Sequence, residues 1–336
     1  MPRTLIALPF LLLAVPSMSP ADTAPKVAPH EYVRAESDLQ MKGYIEKYDC
    51  FGRFAHSREP YDVHQQVTVR GNRDTLYSFG VFDLSSPLIV TLPDASGRYQ
   101  SLMVVSQDHS ITAYYGPDDV TLTKESVGTR YALLTIRTFM DPGDEADVKA
   151  AHQLQNEVRT KQAERGRFAT PDWKQEEVAE LRNAINVVAS TVTDTSKMFG
   201  SKDELDPVYW MLGAALGWGG LPAEAATYVN VFPEKNDGKT AYTLTATDVP
   251  VDAFWSVTLY DAEGWMPVNE YGAYSFNNVT AKKNADGSVT VHFGGDPKQA
   301  NFLPIVPGWN YIVRLYRPRE EILTGTWTFP EPLQAE

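Results

Sequence analysis

Asn72-Arg73-Asp74-Thr75 places an amide, a permanent cation, a carboxylate and a hydroxyl in four consecutive positions, just ahead of the apolar run that begins at Leu76. Such a group has two uses. The Asn and Asp side chains can bond local backbone while Arg73 pairs with a carboxylate, which fastens the start of a strand. Alternatively, strand alternation puts Arg73 and Tyr77 on one face, where they can hold an anionic or hydroxylated ligand. A second polar and aromatic set lies far downstream. Alternation from Phe254 to Tyr260 sets Ser256, Thr258 and Tyr260 opposite Trp255, Val257 and Leu259. In the last strand it sets Ile312, Arg314 and Tyr316 opposite Tyr311, Val313 and Leu315, and the latter set reads as core. If the two polar faces coincide, Tyr260, Arg314 and Tyr316 line a cleft of the kind that holds small molecules. A solvated sheet face or a contact between modules explains the same alternation.

Other residues offer catalytic chemistry. His109 follows an apolar strand, and an imidazole titrates near neutral pH, so it is the candidate general base. Glu270 with Asp261 or Glu263 offers a carboxyl pair for glycoside cleavage, which requires a separation the sequence does not supply. Trp218, in Gly217-Trp218-Gly219-Gly220, is either a plug between modules or a platform on which a ligand stacks. The six histidines are scattered and the single cysteine, Cys50, excludes thiolate zinc clusters and internal disulfides, so no metal and no cofactor is expected. Asp141, Asp144, Glu145 and Asp147 lack the spacing of a calcium loop and read as an acidic first helical turn. There is no G-x-S-x-G, H-E-x-x-H, Walker A or G-x-G-x-x-G motif.

The elements that must carry these residues follow from period and punctuation. One amphipathic helix is expected from about Pro29 to Tyr48. Short β-type runs fill Val67 to Phe139, with Ser101 to Ser106 and Tyr131 to Phe139 apolar enough to lie centrally in a sheet. Val178, Leu181, Ile185 and Val188 then recur at helical spacing, and Asp206-Pro207 has the form of an N-cap followed by a first-turn proline. Strands return at Thr240 to Thr247, Phe254 to Tyr260, Ser288 to Phe293 and Trp309 to Arg317, with a tight hairpin expected at Asp286-Gly287. Gly128, Tyr131 and Arg137 are spaced as Gly308, Tyr311 and Arg317 are, which raises an internal duplication that different strand orders would end.

Arg3, the apolar run from Leu5 to Val15 and the small residues ending at Ala21 have the order of a secretory signal peptide, so residues 1–21 are expected to be removed and the chain to be periplasmic or secreted. That run is too short to cross a bilayer core of about 30 Å, and no later run is long enough, so no membrane insertion of the mature chain is expected. A net charge of -13 argues against nucleic acid as a partner.

Several phrases go beyond general β patterning: Asn72-Arg73-Asp74-Thr75-Leu76-Tyr77-Ser78, Asn230 to Thr240, Phe254-Trp255-Ser256-Val257, Asn277-Asn278, and Gly308-Trp309-Asn310-Tyr311 through Arg314-Leu315-Tyr316-Arg317-Pro318. Together the chain resembles bacterial exported proteins that pair domain-of-unknown-function families 1254 (N-terminal) and 1214 (C-terminal). The resemblance implies an exported protein of two β-sandwich-like modules; with the helical periodicity between them, the fold expected is mainly β with α, two β-sandwich-like (jelly-roll-like) modules joined by a helical connection. On this reading a helical segment spans 22–60, the first β module 61–143, the helical connection 144–222 and the second β module 223–336. It supplies no catalytic residues. The expectation is a protein that binds a small polar or anionic, even sugar-like, ligand near the junction of the modules, through Arg73, Tyr77, Trp218, Tyr260, Arg314 and Tyr316. The alternatives are a hydrolase using His109 or acidic residues in the same cleft, and an envelope protein whose exposed aromatics form a homo-oligomer.

Overall fold

The computed structural model describes residues 27–335 except Val67 and Thr193; the expected signal peptide lies outside the described residues. A single turn of 3-10 helix at Pro29–Glu31 leads into α1 (Tyr32–Tyr48). Met41, Tyr44, Ile45 and Tyr48 near its C-terminal end pack on the first β region, while Tyr32, Val33 and Ala35 near its start pack on later helices.

The first β region comprises β1 (Ala55–His56), β2 (Thr75–Asp83), β3 (Leu88–Leu92), β4 (Gln100–Ser106), β5 (Ile111–Tyr115), β6 (Asp118–Leu122), the short helix α2 (Lys124–Val127) and β7 (Tyr131–Phe139). Then come α3 (Glu145–Glu157), β8 (Arg159–Gln162), α4 (Gln175–Ala189) and α5 (Pro207–Gly217). The second β region contains β9 (Ala226–Val231), β10 (Tyr242–Ala246), β11 (Trp255–Tyr260), β12 (Ser275–Asn277), β13 (Val289–Phe293), β14 (Phe302–Leu303), β15 (Asn310–Tyr316), α6 (Glu320–Leu323) and β16 (Leu333–Gln334).

The strands form sheets of order β1-β2-β7-β4-β5 and β6-β3-β8 in the first region, and β12-β11-β15-β9 and β14-β13-β10-β16 in the second. Period-two alternation sends Phe82, Leu102, Leu134 and Ile136 of the larger first sheet into one cluster with Leu88, Val90, Val120 and Leu122 of its smaller partner. Trp255, Val257, Tyr311 and Val313 likewise join Leu244, Val289, Val291 and Phe293 in the second region. Every residue of β4 and of β7 is buried, because each is an interior strand covered on both faces.

The two regions share one topology. Taken in chain order, the strands at first, last, second and third place in the larger sheet lie side by side in both: β2-β7-β4-β5 and β9-β15-β11-β12. The smaller sheets agree as well, β6-β3-β8 matching β13-β10-β16. The difference in strand order that would end the idea of an internal duplication is not found.

Four details differ from the sequence reading. The expected helical connection contains a strand, β8, which returns to pair with β3. The second region opens with β9, ahead of the first strand expected there. Asp286-Gly287 makes a turn, with Gly287 at φ 85°, but β13 pairs with β10 and β14 and not with the strand immediately before it. No strand pairing among the described residues joins the sheets into a closed barrel, so the fold is mixed α/β with two β-rich regions linked by a helical stretch. Elsewhere the local signals act as expected: the Asp206 carboxylate accepts from the Val208 and Tyr209 N–H groups, and Pro207 opens α5.

Candidate functional site

The larger sheets of both regions turn one face toward the junction. On β7 that face carries Arg137, directly across from Tyr77 on β2 and Ser101 on β4. On β15 it carries Arg314, directly across from Tyr228 on β9 and Ser256 on β11. The same three residue types thus occupy the same cross-strand row in both regions. Both arginines are buried, at 9% and 3% exposure, and no ion pair involves either among the described residues.

Their surroundings differ. Arg314 is fully engaged: Nη2 donates to the carbonyls of Arg70 (3.0 Å) and Gly71 (3.1 Å) and to the Tyr260 hydroxyl (2.6 Å), and Nη1 donates to Thr258 Oγ1 (2.8 Å). Tyr260 donates in turn to the Gly71 carbonyl at 2.7 Å. Beside them, buried Asp74 accepts from Ser256 Oγ at 2.6 Å, and burial pushes its carboxyl above the ordinary range. This network clamps the segment before β2 onto the second region. A guanidinium suits it because its planar fork can meet two carbonyl oxygens at once.

Among the described residues Arg137 contacts Met103 Sδ at 3.6 Å and the side chain of Tyr77, whose ring centre lies 5.4 Å from its guanidinium carbon, with the phenols of Tyr99, Tyr228 and Tyr316 near by and no carboxylate. It lines a cavity of about 380 Å3, within the range of small-molecule pockets. Tyr77, Phe79, Met103 and Leu133 line it from the sheet, Tyr44 and Tyr48 from α1, and Trp218 and Gly219 from the end of α5. Ser57, Glu59, Tyr61 and Asp62 also line it, as do Thr68, Gly71 and Asn72, and Glu59 and Asp62 are exposed. Asn72 ties the parts together, donating through Nδ2 to the hydroxyls of Tyr316 (2.9 Å) and Tyr77 (3.2 Å) while its Oδ1 accepts the Asp74 N–H. Burial raises the Tyr77 pKa, but Arg137 and the bonds from Asn72 and Thr75 outweigh it and bring the phenol below its usual range. A second cavity, of about 480 Å3, lies between Tyr99, Tyr115, Phe254 and Arg317. Its half-buried cation is already paired, Arg98 with Asp147, and Arg317 rests 4.7 Å over the Tyr115 ring.

The family described as Protein of unknown function (DUF1254) matches residues 51–126, and that described as Protein of unknown function (DUF1214) matches residues 226–320. The chain carries both domains. The likeness read from the sequence phrases is thereby shown. The VPA0106 protein from Vibrio parahaemolyticus has the same fold, at 19% identity and a TM-score of 0.67 over 92% of this chain and 99% of that one. An uncharacterised protein from Burkholderia cenocepacia aligns at 17% identity and a TM-score of 0.50, over 91% of this chain and 88% of that one. No curated protein matches the chain.

Against this frame the residues singled out from the sequence separate into groups. Tyr77, of the DUF1254 domain, and Trp218 line the cavity. Tyr260 and Arg314, of the DUF1214 domain, form the clamp, which is the contact between modules that alternation also allowed. Tyr316 lies between the two, bonded to Asn72 and stacked on Phe254 at 4.3 Å. Arg73 does not share a face with Tyr77, because β2 begins only at Thr75 and alternation does not extend back to it. Its Nη1 donates to the Tyr61 carbonyl at 2.6 Å and its guanidinium lies over Tyr274 at 5.4 Å.

His109 is wholly buried, at φ 57°, and its Nε2 accepts the Gly219 N–H at 2.9 Å. Burial pushes the imidazole down to about 3, so it is neutral at physiological pH. It stands behind the Trp218-Gly219 wall of the cavity, with its ring 5.7 Å from that of Trp218, whose Nε1 donates to Ser37 Oγ. Asp261 is spent on its own turn, accepting from the Glu263 and Trp265 N–H groups. The residues that sequence reasoning missed are Arg137, noted only as part of a spacing repeat, and Asn72, read as a local fastener. Arg137 could have been found by aligning Tyr77 and Ser101 with Tyr228 and Ser256 across the repeat. The Gly-Tyr-Arg spacing instead aligns Arg137 with Arg317, a register that puts opposite sheet faces together.

Proposed function

We propose that this exported protein, of two sandwich-like modules, binds a small anionic ligand in the cavity beneath α1, with Arg137 reading the charge. One observation carries the reading: a buried guanidinium on a cavity wall with no carboxylate paired to it. Desolvating a cation is costly unless an anion or several acceptors compensate it. Arg137 has a weak sulfur contact and neutral phenols around it, Tyr77 first, whereas Arg314 at the matching position has four oxygen acceptors, two of them backbone carbonyls. A ligand anion supplies what Arg137 lacks. This narrows the polar or sugar-like ligand expected from the sequence to one with negative charge.

A hydrolytic role for His109 draws no support from this geometry, since its Nε2 is occupied and its ring does not border the cavity. Native mass spectrometry of the mature protein purified from its own host tests the reading. An anionic species should travel with the wild-type chain and be missing from Arg137→Gln. Recovery of a neutral or cationic species, or of the same anion on both proteins, counts against it.

A further inference from the structure

We infer that the ligand is a monocarboxylate with an apolar body, its carboxylate on Arg137 and its body along the apolar wall that runs from Tyr77 and Phe79 to Tyr48. The inference rests on the anion reading above and deepens it. Three observations carry it.

The repeat supplies a template for the charged end. At Arg314 one nitrogen meets two sp2 oxygens, the carbonyls of Arg70 and Gly71, at 3.0 and 3.1 Å. Arg137 has the same cross-strand tyrosine and serine but, among the described residues, no backbone oxygen within bonding distance. A carboxylate brings two coplanar sp2 oxygens in one group and so reproduces the Arg314 arrangement with a single ligand. A phosphate brings further oxygens and charge, and the cavity offers no second buried cation to meet them.

The walls describe the rest of the molecule. Tyr77 stacks on Phe79 (5.7 Å, 15°), and Phe79 stacks on Tyr48 (4.9 Å, 30°), so an aromatic row runs from the buried Arg137 end to α1 at the surface. Met103 and Leu133 continue the apolar lining. The ring faces in this row are covered by one another, by Arg137 and by Lys47, so the wall presents apolar edges and rewards an apolar partner through burial. A cavity of about 380 Å3 is far larger than a bare carboxylate needs.

The rim limits the ligand to one charge. Glu59 and Asp62 stand exposed at the cavity edge, with Lys47 as the cation on that side, 5.1 Å over the Tyr48 ring. A second carboxylate at the far end of the ligand would meet this acidic rim.

Titration calorimetry of the mature chain with acetate, inorganic phosphate, a naphthoate and a naphthalene dicarboxylate tests the inference. The naphthoate should bind at least about thirtyfold more tightly than acetate or phosphate, and about tenfold more tightly than the dicarboxylate. Tyr48→Ala, a half-buried change on the last turn of α1, should weaken naphthoate about tenfold and leave acetate unchanged. Equal affinities for acetate, phosphate and naphthoate, or a preference for the dicarboxylate, would overturn the monocarboxylate assignment while leaving an anion site in place. Binding of none of the four would overturn the anion reading itself.

Discussion

Arg137 and Arg314 occupy the same position in two sheets of one strand order, each between a tyrosine on one neighbouring strand and a serine on the other. One is satisfied by the chain itself, through the carbonyls of Arg70 and Gly71; the other lines a cavity. The relationship assigns different work to chemically identical rows. Arg314 holds the two regions together, and Arg137 is left available for a partner from outside the chain.

Removing Arg314 should therefore cost stability. Arg314→Met strands the Arg70 carbonyl, while Tyr260 still serves that of Gly71, and leaves buried Asp74 without the cation that offsets its burial, so unfolding free energy should fall by about 3 kcal/mol. Urea denaturation measures this directly, and an unchanged midpoint would mean that the clamp contributes nothing.

Arg73→Lys should separate fastening from binding. A lysine cannot keep both the Tyr61 carbonyl bond and the planar contact over Tyr274, so about 1 kcal/mol of stability should be lost while anion affinity stays as it was. A fall in affinity with stability intact would return Arg73 to the binding site.

Asn72→Asp tests the bridge between Tyr77 and Tyr316. The variant retains an acceptor for the Asp74 N–H, and both hydroxyls can donate to the new carboxylate. Its charge, on the wall that Arg137 shares, should weaken a bound anion about tenfold. Calorimetry on the folded variant provides the comparison.

Acid should loosen the cavity wall through His109. The imidazole titrates at about 3 in the folded chain against 6.5 ordinarily, so at intermediate pH the unfolded chain binds a proton that the folded chain does not. Its contribution to stability is complete above pH 6.5 and is lost as pH falls toward the folded value. His109→Gln keeps an acceptor for the Gly219 N–H and removes this titration. Its melting temperature should fall less than that of wild type between pH 6.5 and 4 (the measurement is a pH series of thermal melts), and parallel curves would contradict the linkage.

Alternation in the last strand and in the strand from Phe254 was legible because each of these strands buries one wholly apolar face, so Tyr311, Val313 and Leu315 could point only inward. The helix cap at Asp206-Pro207 was legible because it is local chemistry. β8 was not, since Arg159–Gln162 is polar and mostly exposed, an edge strand with no apolar period to mark it. Arg73 was placed on the face of Tyr77 by extending alternation past the end of a strand, where the backbone no longer alternates. The polar face of β15 announced itself as chemistry, but which surface covers it is tertiary information, and there the occupant is the Arg70-Gly71 segment. Arg137 escaped notice because it lies within a wholly buried, mostly apolar strand, where a lone cation reads as incidental.

The most direct test is calorimetric titration of Arg137→Gln beside wild type, with a naphthoate, acetate and phosphate as probes and urea denaturation as the control for folding. The account predicts that the variant stays within about 1 kcal/mol of wild-type stability, because the guanidinium it loses has no ion pair to break. The tightest-binding anion should lose at least about thirtyfold in affinity. A variant that binds every probe as wild type does, or that unfolds as Arg314→Met is expected to, would contradict the assignment of Arg137 as the residue that reads the ligand's charge.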